Sequence, residues 1–316
     1  MSDVLDRELL WLVGGVLGVL IVASILEAVL ARRATSDAGR ATIANLNARI
    51  RAWWVMSAVF ALAVLTRGVG SVLLFALISF LALREFITLV PTRHGDHRTL
   101  LWVFFVVMPV QYWLVWHDWY GLFAIFIPVY VFLLAPTRSV LAGETEQFLA
   151  RTATIQWALM ICVYCVSYAP ALLTLDIAGY ENENAKLLLF LVIVVQGSDV
   201  FQYVWGKLFG RHRIAPAISP NKTWEGFLGG IASATVIGTA LWWVTPFAPW
   251  QAALMSLVIE LMGFAGGLTM SAIKRDRGVK DFGTLIAGHG GVLDRIDSLC
   301  FAAPVFFHLT RYFFSA

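Results

Sequence analysis

The chain has 316 residues, of which 59% are hydrophobic and only 14% charged, with a formal net charge of +3 and a mean hydropathy of +0.78. Soluble domains carry roughly 45–50% apolar and about 25% charged residues, so this composition cannot supply the solvated shell of a water-soluble fold. Disorder, collagen-like repeats and disulfide scaffolds are excluded on the same ground, and apolar runs of helical length argue against an outer-membrane barrel.

The class is therefore all-α, a polytopic integral membrane protein with about ten transmembrane helices. The first apolar run, 9–31, follows an acidic start (Asp3, Asp6 and Glu8). A secretory signal needs a basic start and a shorter core, so this run reads as an uncleaved helix. Further runs follow at 52–66, 69–90, 100–116, 120–136, 155–175, 187–205, 227–244, 251–273 and 298–314. The second is short for a hydrocarbon layer of about 30 Å and needs help from its flanks. Cys162 and Cys165 lie i,i+3 inside an apolar run and read as inert intramembrane thiols rather than a redox pair. Six helices fall in an N-terminal region, 1–185, and four in a C-terminal region, 186–316.

Placing the charges orients the chain. Of 23 basic residues, 18 fall in alternate connections: Arg32, Arg33, Arg40, Arg49 and Arg51; Arg93 and Arg98; Arg138 and Arg151; Lys207, Arg211, Arg213 and Lys222; Lys274, Arg275, Arg277, Lys280 and Arg295. The opposite side holds Asp176, Glu181 and Glu183 and the nearly uncharged turn 245–250. The positive-inside rule puts the basic side in the cytoplasm and both termini outside. A bacterial inner membrane is the expected location. No inverted repeat relates the halves, which disfavours a transporter.

Charged residues at depth are the next signal. Arg84 and Glu85, late in the third run, read as an internally paired or snorkelling group. Glu260, in mid-span, reads as a buried neutral acid. The remaining unusual chemistry gathers in 196–297. The stretch QGSDVFQYVWGKLFGRHR (196–213) leads to SPNKTWEG (219–226). Asp199 ends an apolar run at the bilayer edge, where a carboxylate is costly and marks function by default. Gly206 and Gly210 allow close backbone approach to a ligand. Lys207, Arg211 and Lys222 bring positive charge, and Ser219, Asn221 and Thr223 bring polar groups, the parts of a phosphate site. A plain basic membrane surface is an equal reading on composition alone.

The second stretch is SAIKRDRGVKD (271–281), followed by GHGGVLDRID (288–297). Gly288, Gly290 and Gly291 flank His289 in a loop able to fold around an oxyanion. Asp294 and Asp297 share a helix face if the last helix starts there. Two carboxylates opposite lysine and arginine suit a hard cation such as Mg²⁺ bridging phosphates.

At these residues the sequence resembles the CDP-diacylglycerol synthase (phosphatidate cytidylyltransferase) family. The family run S-x-x-K-R…K-D…G-H-G-G-x-x-D-R-x-D is matched by Ser271, Lys274, Arg275, Lys280, Asp281, Gly288, His289, Gly290, Gly291, Asp294, Arg295 and Asp297. The upstream pattern D-x-x-x-Y-x-x-G-[KR]-x-x-G-[KR], then S-P-x-K-T-x-E-G, is matched by Asp199, Tyr203, Gly206, Lys207, Gly210, Arg211, Ser219, Pro220, Lys222, Thr223, Glu225 and Gly226. The motifs cover about a third of the chain. The resemblance implies a helical membrane enzyme with cytoplasmic catalytic loops that makes CDP-diacylglycerol and pyrophosphate from CTP and phosphatidate with a divalent cation. On that basis Asp294, Asp297 and, more weakly, Asp199 are the expected metal ligands for Mg²⁺, with room for a second cation. Lys222, Lys274, Arg275, Lys280, Asp281 and His289 are the expected catalytic set. Ser219, Asn221, Thr223, Lys207, Arg211, Ser271, Gly290, Gly291 and Arg295 are the expected substrate contacts. Expected partners are CTP, phosphatidate or another lipid phosphate, and membrane lipids; a homodimer is compatible, and nucleic acid is not expected.

One departure stands out. Where the family usually shows G-D-L-x-E-S, this chain reads GGLTMS (266–271), so Gly267 replaces an aspartate and Met270 a glutamate. Glu260, seven residues away, stands about 10 Å off along a helix rising about 1.5 Å per residue, too far to substitute. The alternative reading is a paralogue that binds CTP or a lipid phosphate without efficient turnover, or with another acceptor.

Overall fold

The computed structural model describes residues 7–33, 36–286 and 288–315; Asp3 and Asp6 of the acidic start lie outside these. Ten helical runs correspond to the ten apolar runs of the sequence. They are α1 (Arg7–Arg33), α2 (Asp37–Leu65), α3 (Arg67–Thr88), α4 (His94–Trp116), α5 (Tyr120–Val140), α6 (Phe148–Thr174), α7 (Asn184–Phe209), α8 (Trp224–Ala240), α9 (Pro249–Asp276) and α10 (Leu293–Phe314). Among the described residues, eight are long and apolar enough to cross a membrane. The two that fall short are α8, with 17 residues, and α10, which carries Asp294, Arg295, Asp297 and Arg311. In α10 the charges are tolerated because protein surrounds it: Cys300, Ala302, Ala303 and Phe306 are all completely buried. A helix shielded from lipid can keep ionisable side chains near the bilayer edge.

The second apolar run proves to be the end of a longer helix. Residues 40–51, expected as a basic connection, are the first turns of α2, and the helix is 29 residues long. The stretch is rich in good helix formers (alanine, leucine, arginine), which carry the helix out past the hydrocarbon. Polar bonds join α2 to α1: Trp54 Nε1 donates to Ser24 Oγ at 3.1 Å, and Asn47 Nδ2 to Glu27 Oε1 at 3.3 Å. Such bonds hold helices together where lipid and leucine are equally apolar. Leu10, Trp11, Val19, Val22 and Leu26 on α1 are exposed, as a lipid-facing helix requires.

Helices α4, α5 and α6 each contain one wide π turn, at Val103–Val107, Phe126–Val131 and Met160–Cys165. Pro109 follows the first and Pro128 lies within the second; a proline removes one amide donor and unsettles the ladder around it. Cys162 is buried in the third and Cys165 half-buried, both as free thiols. A buried ion pair, Arg151 Nε to Asp96 at 3.0 Å, ties α6 to α4. The continuous apolar core is built from α3 to α7 together with α9 and α10. Lys186 at the start of α7 pairs with Glu8 of α1 at 2.5 Å and with Glu183 at 3.1 Å.

The four C-terminal helices position the motifs. Helix α7 lies against α8, α8 against α9, and α9 against α10. Between α7 and α8 a two-stranded antiparallel hairpin forms from β1 (Arg213–Ala215) and β2 (Ser219–Thr223), with Arg213 opposite Thr223 and Ala215 opposite Ser219. Thr223 ends β2 and caps α8, its Oγ1 accepting from the Gly226 amide at 3.1 Å. Helices α7 and α8 touch through glycines. A Cβ on Gly230 would sit 2.3 Å from Gln202 Cγ and 2.9 Å from the Gln202 amide nitrogen. Gly206 faces the Gly226 backbone in the same seam. The upstream glycines thus serve helix contact, not the approach of a ligand expected from the sequence. Gly230→Ala overpacks that seam, and we expect a loss of about 1–3 kcal/mol, read as a lower melting temperature of the purified protein.

Candidate functional site

The motif residues converge where the basic ends of α7, α9 and α10 meet β2. Asp199 lies on α7, Lys222 on β2, Gly267, Ser271 and Lys274 on α9, and Asp294, Arg295, Asp297 and Ser298 on α10. The three aspartates expected to share a metal do not share an environment.

Asp297 and Asp199 are joined by one residue. The Ser298 amide donates to Asp297 Oδ1 at 2.9 Å, and Ser298 Oγ donates to Asp199 at 3.0 Å from Oδ2 and 3.3 Å from Oδ1. Lys222 is held near this pair. Its ammonium stands 4.6 Å from the centroid of the Phe264 ring, a cation–π contact. Burial pushes the Lys222 pKa down, while the charges of Asp199 and Asp297 support its protonated form and Lys274 opposes it. Arg295 lies within electrostatic reach of both aspartates, and Gln196 Nε2 donates to the Arg295 carbonyl at 3.2 Å.

Asp294 is engaged elsewhere. Its Oδ1 takes the Lys274 ammonium at 2.8 Å; its Oδ2 accepts from the amides of Phe282 at 2.8 Å and Gly291 at 2.9 Å. The carboxylate is buried, and the Lys274 ammonium lies 5.3 Å from the centroid of Phe282. Asp294 therefore organises the loop before α10. That loop folds around carboxylates of the protein itself. Gly288 and Gly290 have φ of 75° and 85°, in the left-handed region that glycine favours. A Cβ on Gly290 would come 2.8 Å from Asp294 Oδ2, and one on Gly291 2.3 Å from Glu85 Oε2.

Glu85 has a role that the sequence reading missed. From α3 its Oε1 accepts from the Val292 amide and its Oε2 from the Leu293 amide, each at 2.9 Å. These amides begin α10, whose orphan donors and dipole favour a carboxylate. Glu85 is buried and Arg84 exposed, which fits the snorkelling arginine expected as one reading and not the internal pair expected as the other. A charged residue late in an apolar run was the available signal; nothing local named its partner.

The other expected residues divide by exposure. Lys207, Arg211, Asn221, Arg275, Lys280 and Asp281 are exposed at the surface around the site. Arg275 is already committed, its guanidinium donating to the carbonyls of Ile218 and Val279 at 3.2 and 2.9 Å. Ser219 lies on β2 beside Lys222 and is half-buried. Ser271 Oγ donates to the Gly267 carbonyl at 2.6 Å. His289 stands edge-on to Trp53 of α2, with ring centroids 6.2 Å apart. Glu225 locks the hairpin. Its Oε2 accepts from the amides of Arg211 and His212 at 3.0 and 3.2 Å and its Oε1 pairs with His212 Nδ1, which together hold its pKa down at about 2. Glu260 is buried, accepting from Thr235 Oγ1 at 3.4 Å, far from this chemistry as the helix spacing required.

The donor set bears on a metal. Among the described residues no group of three or more histidine, cysteine, aspartate or glutamate side chains is gathered to hold an ion. Magnesium, however, commonly takes one or two carboxylates and completes its shell with water and substrate phosphates. The Asp199–Asp297 pair fits that smaller share. The saturated Asp294 does not.

Comparison with known proteins gives a consistent picture. The profile described as "Cytidylyltransferase family" matches residues 47–313. A protein of Escherichia coli (strain K12), "Uncharacterized protein YnbB", is 42% identical over 268 residues, covering 84% of this chain and 87% of that protein. The phosphatidate cytidylyltransferase of Bacillus subtilis (strain 168) is 32% identical over 252 residues, covering 79% of this chain and 88% of that enzyme. That of Mycobacterium leprae (strain TN) is 39% identical over 171 residues, covering 54% and 53%.

Proposed function

The chain belongs to the cytidylyltransferase family, and from that membership we propose that it transfers the CMP group of CTP to the phosphate of a membrane lipid, phosphatidate in the first instance, releasing pyrophosphate. The observation that carries this reading is the meeting of Lys222 and Arg295 with the Ser298-bridged Asp199–Asp297 pair at one end of the bundle. An oxygen of the lipid phosphate bonds to the α-phosphorus of CTP, and the bond from that phosphorus to the bridging oxygen breaks, leaving pyrophosphate. An ionised phosphate monoester is already a nucleophile, so no strong base is needed. Catalysis is positioning and charge neutralisation.

Asp199 and Asp297 would hold Mg²⁺, which when bound neutralises phosphate oxygens and orients them. Lys222 and Arg295 bind the phosphates of the two substrates. Lys274 works at one remove, fixing Asp294 and through it the glycine loop. The site lies at the basic ends of the helices, which the positive-inside rule assigns to the cytoplasm.

Gly267 favours a second reading, in which the acceptor is another lipid phosphate or turnover is absent. A side chain there would run into the Lys222 ammonium, with its Cβ 2.9 Å away. The experiment is an acceptor screen with purified protein in lipid nanodiscs, radiolabelled CTP and Mg²⁺. Nucleotidyl transfer to phosphatidate is the expected result. Transfer only to a different lipid phosphate redirects the specificity, and CTP binding without product from any acceptor rejects the transferase reading.

A further inference from the structure

Lys222 does not extend into solvent as a surface phosphate-binding lysine would. Its side chain turns back from β2 against α9, under the face of Phe264 and into the space left by Gly267. Ser298 Oγ, 3.6 Å from the Cβ position of Gly267, borders the same slot and donates to Asp199. The opposing charges that act on it are Asp199 and Asp297, the pair that fits a divalent ion, while Lys274 adds a second positive charge.

We propose that Lys222 is the resident counter-ion of the Asp199–Asp297 pair, and that a divalent cation is admitted only when substrate phosphates draw the ammonium away. The inference rests on the assignment of that pair as the ion-holding end of the site. One ammonium offsets half the charge of two carboxylates, and a divalent ion entering between them meets the positive charge of Lys222. A lysine suits this exchange. Its ammonium is a point charge on a flexible four-carbon stem, able to turn from carboxylates to phosphate without moving the backbone. Glycine at 267 is what leaves room for the ammonium to park. The metal then arrives with the nucleotide and does not wait in the empty site.

Mn²⁺ binding to the full-length chain in nanodiscs, followed by electron paramagnetic resonance without nucleotide, tests this. Wild type is expected to bind Mn²⁺ weakly. Lys222→Met is expected to bind one Mn²⁺ about tenfold more tightly, a difference of about 1.4 kcal/mol. Lys222→Arg, which keeps the charge, should stay at the wild-type level, and adding Asp297→Asn to Lys222→Met should abolish the gain. Unchanged affinity in Lys222→Met, or a gain that survives Asp297→Asn, overturns the proposal. Tight nucleotide-free binding by wild type overturns it without any variant. Turnover measured on the same wild-type preparation separates the two ideas: transfer with no Lys222 effect on Mn²⁺ leaves the enzyme reading standing and removes this one, and the converse result does the opposite.

Discussion

Asp294→Asn is expected to destabilise the protein by about 3–5 kcal/mol, the usual penalty for removing one partner of a buried ion pair. The substitution keeps the shape but takes away the charge facing Lys274, whose ammonium is buried with it at 2.8 Å. It also puts an NH₂ group where one oxygen now either receives Lys274 or accepts from the Phe282 and Gly291 amides. Whichever way the amide turns, a buried donor meets a donor, and the glycine loop loses its anchor. A much lower melting temperature, or failure to accumulate in the membrane, is the expected readout. A protein that melts like wild type but has lost turnover would return Asp294 to the metal.

Asp297→Asn should behave in the opposite manner. Its carboxylate accepts an amide from its own neighbour, Ser298, and Asn can still accept that bond. The fold should be retained, with a melting temperature close to wild type. Turnover should fall by about 10²–10³, the range seen when one preorganised electrostatic element is removed from a reaction centre. Residual activity within a factor of a few of wild type would remove Asp297 from the chemistry. Run side by side, the two variants separate a structural carboxylate from a functional one three residues away on the same helix.

The positions of the helices were legible because bilayer thickness imposes a length and a composition on each run. Errors arose where other forces set the ends. Helix α2 starts some 15 residues before its apolar run because alanine-rich sequence continues the helix into the headgroup layer. Helix α10 begins five residues before the apolar run, at Leu293, because Glu85 satisfies its first amides. The hairpin carrying Lys222 left little trace, since Pro220 and Asn221 are poor strand formers and its pairing is only a few residues long.

The candidate site was legible in its residue types and its general place, but not in its division of labour. Asp294 and Asp297 look equivalent in D-R-x-D. What distinguishes them is contact with Lys274, Phe282 and Gly291 on one side and with Ser298 on the other. Glycines read as ligand cradles proved to be clearances, for a neighbouring helix at Gly206 and for the Glu85 carboxylate at Gly291. Spacing names which residues assemble. The partners that claim them come from chain far away.

The bond from Glu85 to Val292 and Leu293 also fixes when the protein becomes whole. Its two ends are separated by 207 and 208 residues, so α3 enters the bilayer long before the amides it will cap have been synthesised. Asp199 and Lys222 likewise emerge ahead of the helix that supplies Asp297. The nascent chain thus spends most of its translation with an acidic residue in α3 waiting for its final partner, and the candidate site is assembled only as the last helix is inserted. A ribosome that stops short of α10 leaves behind a set of membrane helices that carries Asp199 and Lys222 without Asp297 or Arg295.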